Sequence, residues 1–298
     1  MMTTVTQDDY ALSDEPGWKD ISWDGCERQI ELSTGQLNYV ELGTGPGTPL
    51  VLLHGIGGCW QHWLQNIPRF AQTRRVIAID FPGFGSSPLP HKRVTVGRYA
   101  RLVDELCERL GLGQVTLVGN SLGGLVALET AANYPQRVER MVLAAPAGIS
   151  TRNVRHAIPT LLKLVSLQSP ELQKLLARVH RAQPEHPLAL AVAHPRSFER
   201  GLLRAAFSPS IGTRAGFLHV ATNLAEQSAR GQLLKDASTI SCPVLIIWGR
   251  NDQILPVADI DVLAAMLNRS SQVILEDTGH MPQLERPREF NRLTLAFA

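Results

Sequence analysis

Three side chains in this sequence have the types and setting for nucleophilic hydrolysis: Ser121, Asp252 and His280. Ser121 stands at the centre of Gly119-Asn120-Ser121-Leu122-Gly123. That motif comes directly after the apolar run Val115-Thr116-Leu117-Val118 and directly before an Ala- and Leu-rich stretch. A serine on a sharp strand-to-helix turn exposes its hydroxyl above the sheet, and such a turn needs small residues two positions to either side. The start of the following helix then aims free backbone N–H groups at a developing oxyanion. His280, in Asp277-Thr278-Gly279-His280-Met281-Pro282, follows the last apolar run and reads as the base. Asp252, in Trp248-Gly249-Arg250-Asn251-Asp252, follows the run Val244–Trp248 and reads as the acid that orients it. All three groups lie just beyond the carboxyl ends of expected strands, where functional groups gather in an open α/β sheet.

Each residue has a plainer alternative. Ser121 could sit by chance in a glycine-rich packing turn. Asp252 could only cap a helix beginning near Pro256, and His280 could be an exposed loop histidine. The joint placement of the motifs argues against coincidence. A further glycine-rich turn, His54-Gly55-Ile56-Gly57-Gly58, follows Leu50–Leu53. It can bring the Ile56 N–H toward the nucleophile and complete an oxyanion hole with the N–H of Leu122. His54 lies at a strand end and reads as an anchor of this loop rather than as the base.

The elements that must position these groups are short apolar runs alternating with helical patterns. The runs are Gln29–Leu32, Asn38–Leu42, Leu50–Leu53, Val76–Ile79, Val115–Val118, Met141–Ala144, Val244–Trp248 and Gln272–Leu275. They are too short for helices and typical of strands covered on both faces. Helices are expected over Arg98–Leu110, Leu122–Asn133, Val257–Leu267 and Pro287–Phe297. The pattern gives an α/β fold, a mainly parallel eight-stranded sheet with helices on both faces. Its first two strands, joined by a short turn, form an antiparallel start.

The alternation breaks over residues 149–228, where leucine-rich helical pieces are cut by Pro159, Pro170, Pro184, Pro187, Pro195 and Pro209. This block reads as a helical cap inserted into a core made of residues 28–148 and 229–298. Residues 1–27, rich in Asp, Thr and Ser, read as a loosely held extension.

Composition narrows the function. The chain has 298 residues, 44% of them hydrophobic and 19% charged, with a net charge of +2, and no long basic run stands out. Nucleic acid is therefore not an expected partner. The polar, acidic amino terminus does not read as a signal peptide, and no apolar stretch approaches the roughly 20 residues needed to span a bilayer. Cys26, Cys59, Cys107 and Cys242 lie far apart, which fits reduced thiols in a cytoplasmic protein and no metal cluster. Oligomeric state carries no sequence signature.

Over residues from about 29 to the end, the chain resembles the α/β-hydrolase superfamily. Asp80-Phe81-Pro82-Gly83-Phe84-Gly85-Ser86-Ser87 is similar to that family's turn after the fourth strand. The resemblance implies a catalytic triad of Ser121, Asp252 and His280, oxyanion donors at Ile56 and Leu122, and no cofactor. Serine at 121 argues against the dehalogenases and epoxide hydrolases of the family, which use Asp. The expected activity is hydrolysis of a small-molecule ester or acyl substrate through an acyl-enzyme. Trp60 and Trp63, near the oxyanion loop, and Leu161, Leu164 and Val165, in the cap, are candidate pocket residues, with plain packing as the alternative.

A second expectation is a carbon–carbon bond hydrolase of the meta-cleavage kind, which Gly119-Asn120-Ser121 and Phe290-Asn291-Arg292-Leu293 resemble. Two departures weaken it: the oxyanion loop lacks Gly-Pro-Gly, and Met281 rather than an aromatic residue follows His280. It also needs a basic residue to bind the substrate carboxylate, for which Arg196, Arg200 and Arg204 are candidates. A ligand-binding protein without activity on a hydrolase scaffold is the alternative from another class.

Overall fold

The computed structural model describes residues 9–90, 94–149, 191–207, 219–223 and 237–298. Every expected strand is present: β1 Glu27–Leu32, β2 Gly35–Leu42, β3 Gly47–Leu53, β4 Arg74–Ile79, β5 Val115–Asn120, β6 Val138–Ala144, β7 Val244–Gly249 and β8 Ser270–Leu275. They form one sheet in the order β1-β2-β4-β3-β5-β6-β7-β8. β2 pairs antiparallel with both β1 and β4, and every later pairing is parallel. Most strands begin a few residues before their apolar runs, because polar residues at the strand ends also join the hydrogen-bond ladder.

Successive side chains of the central strands go to opposite faces of the sheet, and both faces are covered. Val51, Leu53, Ile77, Leu117, Leu143 and Ile246 join one buried cluster. Their neighbours Leu50, Leu52, Val76, Val118, Val142 and Leu245 join the other. The first cluster takes in α2 (Val96–Arg109), α3 (Leu122–Asn133) and Asp259–Met266. The second takes in α1 (Ile67–Ala71) and the carboxyl-terminal helices Pro282–Glu285 and Pro287–Phe297. Leu117 has no exposed surface, so truncating it to Ala would cost about 2–5 kcal/mol.

α2 starts where Thr95 accepts the Arg98 N–H through its side chain at 3.2 Å, an N-cap. It ends before Gly111, whose φ of 65° ordinary side chains resist. α3 is buried nearly all round, because it packs against both the sheet and α2; this explains its Ala- and Gly-rich composition.

β6 and β7 are neighbours, with Ala144 opposite Ile247, although residues 145–243 separate them. That excursion leaves from the carboxyl end of β6. It includes a 3-10 turn, Pro195–Ser197, and the helix Arg200–Phe207. The helix packs near the residues that follow β3: the Cys59 thiol lies 3.6 Å from the Ala206 carbonyl, and the His62 and Phe207 ring centroids are 4.8 Å apart. Leu161, Leu164 and Val165 lie outside the described residues. No helix among the described residues is long and apolar enough to cross a membrane.

The expectation of a loosely held amino-terminal extension is corrected for residues 9–20. The Ala11 N–H donates to the Glu285 carbonyl at 2.8 Å, and Gln65 Nε2 donates to the Ala11 carbonyl at 2.7 Å. Asn291 Nδ2 donates to the Asp14 carboxylate at 2.9 Å. The polar residues of this segment supply partners for groups beside the last helix, and Tyr10 is buried among them.

Candidate active site

Ser121 occupies the tight turn between β5 and α3 with φ 54° and ψ −113°. Such a conformation is costly for a residue with a side chain, and it persists only where the surroundings enforce it. The enforcement is visible. The Ser121 N–H donates to the Ala144 carbonyl at 3.0 Å, and its own carbonyl accepts from Leu125 and Ala147 at 3.1 and 3.0 Å. A Cβ on Gly119 would collide with the Gly123 backbone, and one on Gly123 would collide with the Leu53 carbonyl. Both flanking glycines are therefore required by close backbone approach.

The strand-end loops of β7 and β8 bring Asp252 and His280 together. The imidazole Nδ1 of His280 lies 2.7 Å from Asp252 Oδ2. An ionised carboxylate only accepts, so Nδ1 is the donor of this pair, and in the neutral imidazole Nε2 is then the acceptor. Asp252 Oδ2 also accepts from Trp248 Nε1 at 3.0 Å, and Oδ1 accepts the N–H groups of Ile254 and Leu255 at 2.8 and 2.9 Å. Asp252 thus pairs with the histidine and also caps the turn after itself, while the helix proper begins only at Asp259. Both side chains are buried: 6% of His280 and none of Asp252 is exposed.

Asn120 connects this pair to the serine turn. Its Nδ2 donates to the carbonyls of Ala144 and His280, each at 3.0 Å. The residue before Ser121 therefore holds the backbone of His280.

The loop after β3 closes on the same turn. Gly55 to Gly58 make a β-turn, closed by the Gly58 N–H on the Gly55 carbonyl at 3.0 Å, with Gly57 at φ 73°. This leaves the Ile56 N–H out of the turn's own hydrogen bond. A Cβ on Gly55 would sit 3.3 Å from Ser121 Cβ, so the loop lies directly against the Ser121 turn. Leu122 is the first residue of α3, where an N–H has no acceptor within the helix.

His54 is wholly buried. Its Nε2 accepts the Phe81 N–H at 2.9 Å, and Nδ1 lies 2.6 Å from the Gly55 carbonyl. Burial pushes its pKa down to about 4, so it is a neutral strut between the loop after β3 and the turn after β4. In that turn Asp80 accepts the Trp60 N–H at 2.7 Å and the Ser86 N–H at 2.9 Å.

Trp60 and Trp63 are 5% and 0% exposed. Trp60 stands against Trp23, and Trp63 against Phe290 of the last helix. These contacts favour packing over pocket lining for both. Trp248 and Glu285 escaped the sequence reading: an indole and a helical carboxylate announce nothing by type, and only the fold sets them beside Asp252 and His280. No group of three or more His, Cys, Asp or Glu among the described residues is arranged to hold a metal.

A family model for the alpha/beta hydrolase fold matches residues 48–287. The chain is 29% identical to the dihydrolipoyllysine-residue acetyltransferase component of an acetoin cleaving system from Pseudomonas putida, over 94% of this chain and 71% of that one. It is also 29% identical to a 2-hydroxy-6-oxo-2,4-heptadienoate hydrolase of Pseudomonas putida, over 85% of this chain and 90% of that one. Among solved structures, a membrane phospholipase A described as a bacterial virulence factor superposes with a TM-score of 0.74. It is 28% identical, and the match covers 91% of this chain and 84% of that one.

Proposed function

The chain belongs to the α/β-hydrolase family, and within it we propose a serine hydrolase that cleaves carboxylic esters through an acyl-enzyme. The observation that carries the proposal is the strained Ser121 turn, tied through Asn120 to a histidine whose Nδ1 proton is held by Asp252. In the proposed mechanism His280 Nε2 takes the Ser121 proton as the hydroxyl attacks the ester carbonyl. Asp252 keeps the imidazole in the working tautomer and stabilises its positive charge. The N–H groups of Ile56 and Leu122 receive the negative charge that develops on the carbonyl oxygen. His280 then protonates the leaving alcohol, and later activates the water that releases the acid.

The phospholipase likeness and the acetyltransferase relative both fit acyl chemistry at such a site, while the heptadienoate hydrolase favours carbon–carbon cleavage. Two structural observations bear on that second reading. Asn120, half of the sequence likeness to the meta-cleavage group, spends its amide on two backbone carbonyls. Asn291, in the other half, is engaged by Asp14, Gln65 and Asn66. Both serve the fold and leave the substrate class open to either. Among the described residues, the arginines considered for a substrate carboxylate, Arg196, Arg200 and Arg204, are exposed. Ester hydrolysis needs no such cation, and this favours it.

The proposal places residues 149–228 as a cap whose apolar residues, Leu161, Leu164 and Val165 among them, line the acyl pocket. The substrate class is tested by assaying a p-nitrophenyl ester series beside a meta-cleavage diketo acid. Ester turnover exceeding diketo acid turnover is expected; the reverse order replaces the proposal with carbon–carbon hydrolysis. Absence of both, together with no fluorophosphonate labelling, leaves a binding protein.

A further inference from the structure

Glu285 takes no part in the proposed triad, yet its side chain is wholly buried and receives hydrogen bonds from three separate parts of the chain. Its Oε2 accepts the N–H of Gly279 at 2.8 Å, the N–H of Ala193 at 2.8 Å and the hydroxyl of Tyr10 at 2.7 Å. Its Oε1 accepts the N–H of Met281 at 3.1 Å. Gly279 and Met281 are the two neighbours of His280, so one carboxylate holds the backbone on both sides of the imidazole.

The other backbone groups of His280 are engaged as well. Its N–H donates to the Ala191 carbonyl at 2.8 Å, and its carbonyl accepts from Asn120. The segment from Ala191 to Ala193 lies so close that a Cβ on Gly279 would stand 2.9 Å from the Ala193 nitrogen and 3.0 Å from the Ala191 oxygen. The Tyr10 hydroxyl that donates to Glu285 also accepts the His194 N–H at 3.0 Å. Burial raises the Glu285 carboxyl above its ordinary range, while the hydrogen bonds it receives oppose that shift. Four donors facing one group favour its acceptor-only, ionised form.

We propose that Glu285 is a positioning residue for His280, and that through Ala193 and Tyr10 it makes the alignment of the imidazole depend on docking of residues 191–194 and of the amino-terminal segment. The inference rests on His280 being the base. It adds that residues 191–194, which belong to the cap insertion, and the base are set by the same carboxylate. A segment that moves out of place withdraws hydrogen-bond partners from the loop that carries the imidazole.

The test compares Glu285→Gln and Tyr10→Phe with wild type in the full-length protein. Gln turns one acceptor oxygen into a donor facing donors, whereas Phe removes one hydroxyl and leaves the backbone bonds to Glu285 in place. Turnover is counted per serine titrated to completion with a fluorophosphonate, so a loss of folded protein does not register. The expected result for Glu285→Gln is a fall in kcat per site of at least about tenfold, with KM changed by less than about threefold. The proton NMR resonance of His280 Nδ1 should shift or broaden. Tyr10→Phe should move both readouts in the same direction, with a loss of about two- to fivefold, and decides alone if Glu285→Gln does not fold. Turnover per site within about 1.5-fold of wild type and an unmoved resonance, even with a lowered Tm, would show that Glu285 only stabilises the fold. If wild type turns over no ester, the functional proposal fails, but the Nδ1 resonance still decides the role of Glu285.

Discussion

Asp252 Oδ2 and His280 Nδ1 lie 2.7 Å apart, and the same carboxylate oxygen also accepts the Trp248 indole N–H at 3.0 Å. The other oxygen holds the Ile254 and Leu255 N–H groups, so Asp252 has two separable duties. In Asp252→Asn the amide oxygen can keep the turn, which leaves the NH₂ facing two donors. The imidazole must then flip its tautomer or lose its partner. We expect kcat for an ester to fall by about 10⁴-fold, with a stability loss of only about 1–3 kcal/mol. Normal turnover with the same stability loss would mean that Asp252 is only a cap. Steady-state kinetics alongside thermal melting separates the two.

Asn120 donates to the His280 and Ala144 carbonyls, and so ties the loops that follow β6 and β8 to the Ser121 turn. Asn120→Ala should lower kcat about tenfold for esters and for a diketo acid alike, because it loosens the base relative to Ser121. Selective loss of diketo acid turnover would instead make Asn120 a substrate-binding group.

His54 carries a pH signature. Its folded pKa of about 4 lies below the ordinary 6.5, so on acidification the unfolded chain takes up a proton that the folded protein refuses. Its contribution to stability is complete above about pH 6.5 and is lost as pH falls toward 4, by about 1.4 kcal/mol per unit at the steepest. His62, pushed down to about 3 by burial, acts in the same sense. Asp80, pushed up to about 6, opposes both: as pH rises from 3.8 to 6 the unfolded carboxyl ionises first and stability falls. Comparing wild type with His54→Gln isolates the His54 share. The stability difference between the two proteins should move by about 2 kcal/mol in favour of the variant between pH 7 and pH 5. Parallel denaturation curves at the two pH values would contradict a buried, neutral His54.

Leu161, Leu164 and Val165, in the proposed cap, should govern acyl length. Substituting each with Ala is expected to shift the ranking of kcat/KM across esters of increasing chain length, since a methylene in an apolar pocket is worth about 1–3 kcal/mol. An unchanged ranking with lowered Tm would make them packing residues and move the pocket elsewhere.

The fold was largely legible because strands buried on both faces have to be written as unbroken apolar runs, as in Val115–Val118 and Val244–Trp248. The helix Leu122–Asn133 ends where Pro135 stops it. Other boundaries slipped where polar residues join the ladder, as at Gly35 and Arg74. At the site, the backbone motifs around Ser121, Ile56 and His280 were readable because close approach demands glycine. What sequence could not reveal is the web of side chain to backbone bonds. Tyr10, Asn120 and Glu285 meet only after the sheet has formed, and the segment holding Tyr10, which composition presented as loose, is tied through that web.

The central claim is that Ser121 is the nucleophile, held in its strained turn by Gly119, Gly123 and the Ala144 carbonyl. The most direct measurement is kcat for a p-nitrophenyl ester in Ser121→Ala, with fluorophosphonate labelling of the same preparations and a melting curve to show that the fold is kept. The account predicts labelling of wild type alone and a fall in kcat of at least about 10³-fold, the residue of activity coming from binding and the oxyanion hole. A folded Ser121→Ala protein that retains turnover within about tenfold of wild type, or that still labels, would contradict it.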